Sequence, residues 1–112
     1  MSELINKFPY YNETSISGSG AGETDTQSWT YSVDRKLSRL VVTTDANVDS
    51  VTIKINDNQI YESIGASKEV VIDMDLFNPV DGVVPVEEIE VTLVSSSAGA
   101  GSVTIKEYGL IG

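Results

Sequence analysis

Residues 37–61 alternate apolar and polar side chains, and this alternation limits the fold more strongly than any other feature of the sequence. Val51, Ile53 and Ile55 occupy every second position, with polar residues between them. A period of two is typical of a β-strand with one buried face and one solvent-exposed face. A β-branched run at residues 40–44 precedes this strand, and turn-forming Asp and Asn residues stand before and after it. The pattern predicts an antiparallel meander of strand, turn, strand, turn and short strand.

The rest of the chain repeats the same kind of short segment, and no stretch has a convincing helical period. Further strands are predicted at residues 27–34, 68–73, 87–95 and 101–108. The prolines at positions 79 and 85 predict a long loop over residues 74–86. About seven or eight short strands separated by turn signals are typical of a sandwich or a barrel. We therefore predict an all-β fold in which residues 23–112 form a single antiparallel β-sandwich of jelly-roll or immunoglobulin-like topology.

The pentapeptide Ser-Val-Thr-Ile-Lys occurs twice, at residues 50–54 and 102–106. Each copy follows an apolar segment and a turn. Either the copies mark two related hairpins, one in each half of a sandwich, or a good amphipathic strand has arisen twice from a small set of β-forming residues. The second interpretation is favoured, and both give the same fold class.

Residues 1–22 differ from the rest of the chain and predict an extended N-terminal arm with a glycine-rich hinge. Phe8, Tyr10 and Tyr11 flank a proline that favours an extended path. Residues 18–22 (GSGAG) have the composition of a flexible linker. The three aromatic residues are the predicted contacts with a partner or with another copy of the chain. The arm either adds a strand to the edge of a neighbouring subunit or packs on its own domain as a terminal strand, and the sequence leaves both open.

The composition excludes several kinds of site. The chain has no histidine and no cysteine, so it has no Ser-His-Asp or Cys-His catalytic arrangement, no disulfide framework and no usual zinc site. Its formal net charge of −10 argues against nucleic acid and anionic membrane as partners, because both need a basic surface. The sequence shows neither an apolar run of membrane-spanning length nor a secretory signal at its start. We expect a protein that is not an enzyme, and we interpret Glu88 and Glu90 as a solvated strand face rather than as a glycosidase pair.

Asp45, Asn47 and Asp49 match the opening D-x-N-x-D spacing of a calcium-binding loop. The match then ends, because Ser50 stands where the loop needs glycine and Asn56 where it needs a bidentate glutamate. A looser calcium site at this turn is one hypothesis, and ordinary turn chemistry is the favoured one. No other cofactor is predicted.

Trp29 and Tyr31 lie on the same face of the strand predicted at residues 27–34. On an exposed face these rings would stack on a sugar, whereas on the inner face they would belong to the core. The core is favoured, because Trp is usually largely buried. The two residues are the candidate ligand contacts of an alternative function, a small carbohydrate-binding module with calcium at the acidic turn.

The layout of residues 8–108 resembles that of small β-sandwich proteins of virions, such as decoration, cement and minor capsid proteins. The shared features are an arm, a glycine hinge, a compact jelly-roll-like body, an acidic composition and the lack of His and Cys. The resemblance concerns architecture and composition, so it assigns no residue a role. It implies a structural protein located in the virion, which self-associates as a small ring such as a trimer and attaches to a capsid protein through its arm and strand edges. An extracellular or cytoplasmic location is the alternative.

Overall fold

The computed structural model describes residues 8–111, and this part of the chain consists mainly of β-strands. A 3-10 turn, Met74–Leu76, follows the sixth strand. The all-β prediction is confirmed, and only one very short strand lies within the predicted loop over residues 74–86. The strands are β1 (Phe8–Ser17), β2 (Thr24–Thr30), β3 (Arg35–Thr44), β4 (Val48–Ile55), β5 (Asn58–Gln59), β6 (Glu69–Asp73), β7 (Val84–Pro85), β8 (Glu88–Ser95) and β9 (Ser102–Ile111).

The strands form two antiparallel sheets that pack face to face. The first sheet has the strand order β1-β9-β3-β6, with β7 added to β3, and the second sheet has the order β2-β8-β4-β5. The chain therefore changes sheet six times, after β1, β2, β3, β5, β7 and β8. Two antiparallel sheets interleaved in this way form a jelly roll. The predicted β-sandwich is confirmed, and of its two proposed topologies the chain adopts the jelly roll.

The meander predicted over residues 37–61 is wrong at its first step. β3 pairs with β9 and β6, whereas β4 pairs with β8 and β5, so β3 and β4 lie in different sheets. Only the second turn makes a hairpin: Asn56 and Asp57 join β4 to β5 with φ values of 51° and 67°. Positive φ at both central residues defines a type I′ hairpin turn. Alternation shows which face of a strand is buried, but it does not show which strand lies beside it.

The two copies of the repeated pentapeptide lie in β4 and β9, which belong to opposite sheets. Neither copy forms a hairpin with the strand before it, so the interpretation as two related hairpins is wrong. In both copies the valine and the isoleucine point into the sandwich and are buried. Both copies therefore form a strand with a single apolar face.

The inner faces of both sheets share one apolar core, which also includes residues from the connecting segments. The alternation seen in the sequence is matched by burial, because every second residue is buried throughout β8 and in β4 from Val51 onward. The core residues that have no exposed surface are Leu37, Leu40, Val42, Val51, Ile53, Met74, Ile89, Val91, Leu93 and Ile105.

β1 occupies residues 8–17 of the predicted arm and pairs with β9 of the same chain along its whole length, from Phe8 opposite Ile111 to Ser17 opposite Ser102. Tyr10 and Ile16 on its inner face are 8% and 3% exposed. Of the two alternatives for the arm, the structure therefore has the terminal strand on its own domain. Residues 1–7 of the predicted arm lie outside the described residues.

The two ends of the sandwich are formed by different loops. At one end, which we call the closed end, backbone hydrogen bonds join the loops that follow β1, β3 and β8. Gly18 N–H donates to the Gly101 carbonyl at 2.8 Å, and Ser96 N–H donates to the Asn47 carbonyl at 2.7 Å. At the other end, the cleft end, lie the β2–β3 loop, the long segment between β6 and β8, the start of β1 and the end of β9. Within residues 8–111 no helix has the length and apolar character that crossing a membrane requires.

Candidate functional site

A carboxylate lies inside the sandwich near the cleft end. Glu107 continues the inner face of β9 after Val103 and Ile105, and its side chain is 0% exposed. A charged group at such a position is rare unless other groups satisfy it. Glu107 is therefore the centre of the candidate site.

Four side chains donate hydrogen bonds to the Glu107 carboxylate, and we call these five residues the Glu107 cluster. From β1, the Tyr10 hydroxyl lies 3.3 Å from Oε1 and Asn12 Nδ2 lies 2.9 Å from Oε2. From β2, Trp29 Nε1 donates to Oε2 at 3.2 Å. The Tyr31 hydroxyl, just beyond β2, lies 2.6 and 2.7 Å from the two carboxylate oxygens. Because β1 and β9 belong to the first sheet and β2 to the second, the cluster joins the two sheets through one buried acceptor.

The Glu107 cluster changes the acidity of both of its tyrosines. Burial raises the pKa of Tyr10, and the negative charge of Glu107 raises it further. Burial likewise raises the pKa of Tyr31, and the hydrogen bond to Glu107 is the second largest cause of the increase. Both hydroxyls therefore stay protonated, and remain donors, well above the pH at which tyrosine ordinarily ionises.

Arg35, the first residue of β3, covers the cluster from the side of the cleft end. Its guanidinium carbon lies 4.9 Å from the ring centroid of Tyr10 and 4.2 Å from that of Tyr31. The two rings meet edge to face, with centroids 6.4 Å apart. A guanidinium over two aromatic faces gains cation–π attraction, and here it also places a positive charge near the buried carboxylate.

A cleft of about 670 Å³ opens next to Arg35. One wall is the segment from Thr30 to Lys36, and the other is the segment from Pro85 to Glu88. Two backbone hydrogen bonds join these walls: Tyr31 N–H donates to the Glu87 carbonyl at 3.0 Å, and Val86 N–H donates to the Arg35 carbonyl at 2.9 Å. The cleft therefore lies between segments that are fixed to each other.

Trp29 and Tyr31 were predicted to share a strand face, and the structure places both side chains half-buried against the core. Their polar atoms point inward and donate to Glu107. This is the favoured core arrangement rather than an exposed stacking platform. A sugar contact through these two residues stays a prediction that has no direct support in the geometry.

The three predicted aromatic contacts of the arm do not stay together. Phe8 and Tyr11 are 61% and 52% exposed, whereas Tyr10 is buried in the Glu107 cluster. Tyr11 packs against Tyr108 on the outer face of the first sheet, with ring centroids 5.1 Å apart. Its hydroxyl donates to Glu13 at 2.6 Å, which raises the pKa of Tyr11 to about 12. Phe8 and Tyr11 are thus accessible to a partner, and Tyr10 is not.

The acidic turn at residues 45–49 lies at the closed end, away from the cleft. The Asp45 carboxylate accepts hydrogen bonds from Asn47 N–H and the Ser102 hydroxyl, both at 3.0 Å. Burial raises the pKa of Asp45, but the hydrogen bonds from Ser102 and Asn47 outweigh it and lower the pKa below its ordinary value. Asp49 is exposed. Across residues 8–111, no group of three or more acidic, His or Cys side chains is placed to hold a metal ion, and calcium at this turn remains a hypothesis.

The long segment between β6 and β8 carries exposed apolar side chains at the cleft end. Leu76 and Val80 are largely exposed, and Phe77 is about half exposed. Phe77 also borders a groove of about 330 Å³, together with Ile55, Ile60 and Met74. The sequence predicted this segment only as a loop, since proline positions indicate where strands end and not which side chains face solvent.

No protein family and no curated protein matches this sequence. Among solved structures, the chain is similar to the major capsid protein P2 of bacteriophage PM2, with 12% identity and a TM-score of 0.58 over 96% of this chain and 46% of that one. It is also similar to the C-terminal domain of A223, a structural protein of sulfolobus turreted icosahedral virus, with 13% identity and a TM-score of 0.46 over 89% and 98% of the two chains. The Drosophila NLP core has 14% identity and a TM-score of 0.49, over 89% and 96%.

Of these three structures, only P2 has a TM-score above 0.5, and at 12% identity the likeness shows the fold alone. The chain spans less than half the length of P2. The resemblance in architecture to β-sandwich proteins of virions, expected from the sequence, is thus confirmed at the level of the fold.

Proposed function

We propose that this protein is a structural component of a virion, without catalytic activity, that associates with copies of itself and with a capsid protein. The observation that carries the proposal is the jelly-roll strand order in both sheets, aligned over 96% of the chain with a major capsid protein. A shared fold is only an analogy for function, so the proposal depends equally on surfaces suited to association.

The first such surface is the free edge of the first sheet, which β1 forms. β1 and β6 form the edges of the first sheet, and β2 and β5 form the edges of the second. An edge strand presents unpaired backbone groups that can add a strand from another chain. Phe8 and Tyr11 stand exposed on β1, and aromatic residues are enriched at protein interfaces. We assign self-association to this surface.

The second surface is the exposed apolar segment formed by Leu76, Phe77 and Val80 at the cleft end. Exposed apolar side chains grouped on one loop are typical of contacts with other proteins. We assign attachment to the capsid protein to this segment. The absence of His and Cys from the sequence supports a role without catalysis, because it removes the commonest nucleophile and base pairs.

The proposal is tested by measuring solution mass with light scattering over a range of concentrations. Wild-type protein is expected to form a closed oligomer such as a trimer. The double variant Phe8→Ser/Tyr11→Ser is expected to have a lower mass, because both exposed rings are removed while the buried Tyr10 and Ile16 of β1 are kept. Tyr61→Ser is the matched control, since Tyr61 is also exposed but is not part of β1.

Circular dichroism establishes that each variant keeps its β-structure before its mass is compared. A wild-type protein that stays monomeric at every soluble concentration contradicts self-association. A double variant with the mass of the wild type contradicts the assignment of self-association to β1.

A further inference from the structure

The chain has two arginines. One forms an ion pair with a carboxylate, and the other lies against aromatic rings. Arg39 donates from Nε to Asp73 at 2.7 Å on the outer face of the first sheet. For Arg35, no carboxylate of residues 8–111 lies within ion-pair distance. Its buried Nε has no hydrogen-bond partner in that part of the chain. A guanidinium has five N–H donors and no acceptor. Arg39 gives one of them to Asp73, whereas the Arg35 guanidinium forms no ion pair with a carboxylate of residues 8–111.

Arg35 is also held in place before any ligand arrives. The rings of Tyr10 and Tyr31 contact its guanidinium group, and hydrogen bonds to Glu107 fix both rings. Its carbonyl accepts from Val86 N–H across the cleft. A guanidinium fixed by stacking loses little conformational freedom when it forms further hydrogen bonds, which favours binding.

The cleft that Arg35 lines has the volume of a small-molecule site, about 670 Å³. Its other charged lining residues are Asp34, Lys36, Glu87 and Glu88. The three acidic side chains repel a ligand that carries several negative charges. A single negative group next to Arg35 is repelled less, because the Coulomb repulsion grows with the charge of the ligand.

We propose that this cleft binds a ligand that presents a single carboxylate, and that Arg35 receives the carboxylate with its guanidinium fork. Planar carboxylates match the guanidinium geometry and form two parallel hydrogen bonds with it. The carboxylate belongs either to a free organic acid or to the surface of a second copy of this acidic chain, and the chemistry at Arg35 is the same. This inference goes beyond the proposed virion role and does not depend on it.

The arginine Nε–H signals in a ¹H–¹⁵N spectrum of the wild-type protein give a direct test, because two arginines give two signals. Sodium acetate is the probe, and sodium chloride at equal ionic strength is the reference. The Arg35 signal is expected to shift and to saturate, with a dissociation constant on the order of millimolar for one ion pair. The Arg39 signal is expected to remain in place.

Arg35→Lys keeps the positive charge and removes the fork, and Arg39→Lys is the matched control. Trp29 is the only tryptophan of the chain. Its Nε1 donates to the hydroxyl of Tyr31, whose ring contacts Arg35, so we expect its fluorescence to respond to acetate binding at Arg35. Arg35→Lys is expected to weaken the acetate response about tenfold or more, whereas Arg39→Lys is expected to leave it unchanged.

Three outcomes overturn the proposal. They are an Arg35 signal that does not move beyond its response to chloride, a fluorescence response that survives in Arg35→Lys, and inorganic phosphate binding more tightly than acetate. The first outcome would mean that Arg35 serves only as the counter-charge of Glu107. If acetate binds as expected, the mass of Arg35→Lys identifies the source: a lower mass than wild type points to a carboxylate of a second copy, and an equal mass to a free acid.

Discussion

At the scale of single residues, the candidate site depends most on Glu107, which is not among the site residues predicted from the sequence. The alternation of Val103 and Ile105 in β9 places position 107 on the same inner face. The sequence predicts only Val103 and Ile105 on this face, because a glutamate is almost never fully buried unless it is paired. Its donors lie 76 to 97 positions away in the chain. No local pattern indicates that four such donors converge on one carboxylate.

Replacing Glu107 with glutamine is expected to lower the free energy of unfolding by about 2–4 kcal/mol. A carboxylate only accepts hydrogen bonds, whereas an amide places an NH₂ group against the donors that surround it. Urea unfolding followed by Trp29 fluorescence measures the change. Glu13→Gln on the exposed face of β1 is the control and should leave the unfolding midpoint almost unchanged. Equal midpoints for the two variants would show that the cluster contributes nothing to stability.

The raised pKa values of Tyr10 and Tyr31 predict how stability depends on alkaline pH. In the unfolded chain both hydroxyls ionise near pH 10, whereas in the folded protein burial and Glu107 hold their pKa values higher. Their contribution is therefore fully present below about pH 10 and is lost as the pH rises from there toward the folded pKa.

We expect the free energy of unfolding to fall above about pH 10. Tyrosinate absorbance should show that the hydroxyls of Tyr10 and Tyr31 ionise only when the protein unfolds. Tyr31→Phe should reduce the alkaline loss of stability. All five tyrosines ionising together near pH 10, with stability unchanged, would be incompatible with the Glu107 cluster.

At the scale of strands, the sequence predicted where most strands lie but not which strands are neighbours. The residues of β4 that were predicted to be buried are buried, yet its predicted neighbour β3 lies in the opposite sheet. β1 was missed over most of its length, because Asn12 and Thr14 interrupt the apolar side of its alternation. Asn12 faces inward as a donor to Glu107, so the polar residue that hid the strand is explained by the buried carboxylate.

Gly109 of β9 is expected to be a sensitive position in the first sheet. A Cβ atom at this position would overlap the Lys36 carbonyl oxygen and would lie 2.6 Å from the Tyr10 ring. Gly109→Ala should therefore push β3 and β1 away from β9, and overpacking of this kind costs about 1–3 kcal/mol or more.

Urea unfolding of Gly109→Ala measures this cost. Gly65→Ala is the matched control, since a Cβ atom there meets nothing within 4 Å. If both substitutions change the free energy of unfolding by the same small amount, β1 and β3 do not approach β9 closely at Gly109.

At the scale of the whole molecule, composition and strand spacing were enough to predict an all-β sandwich. They could not select the jelly roll, because sandwich topologies share the same short strands and turns. The candidate site was harder to predict from the sequence than the fold. Trp29, Tyr31 and Tyr10 were predicted as surface contacts or as ordinary core residues, not as members of one cluster. Their meeting at Glu107 follows from the crossing of the chain between sheets, which no local pattern encodes.

The central structural claim is that one chain completes its own jelly roll, with β1 paired to β9 of the same chain. Ser15 and Thr104 are opposite one another in this pairing, and their hydroxyl oxygens lie 3.3 Å apart. The chain has no cysteine, so a disulfide between Ser15→Cys and Thr104→Cys can be detected without interference. The two single-cysteine variants serve as controls.

The deciding measurement is non-reducing gel electrophoresis of the oxidised double-cysteine protein at several concentrations. We predict one band at the mass of a single chain, with an internal disulfide confirmed by mass spectrometry. Disulfide-linked dimers or larger species that replace this band would contradict the claim, because they would place β1 on the β9 of a neighbouring copy.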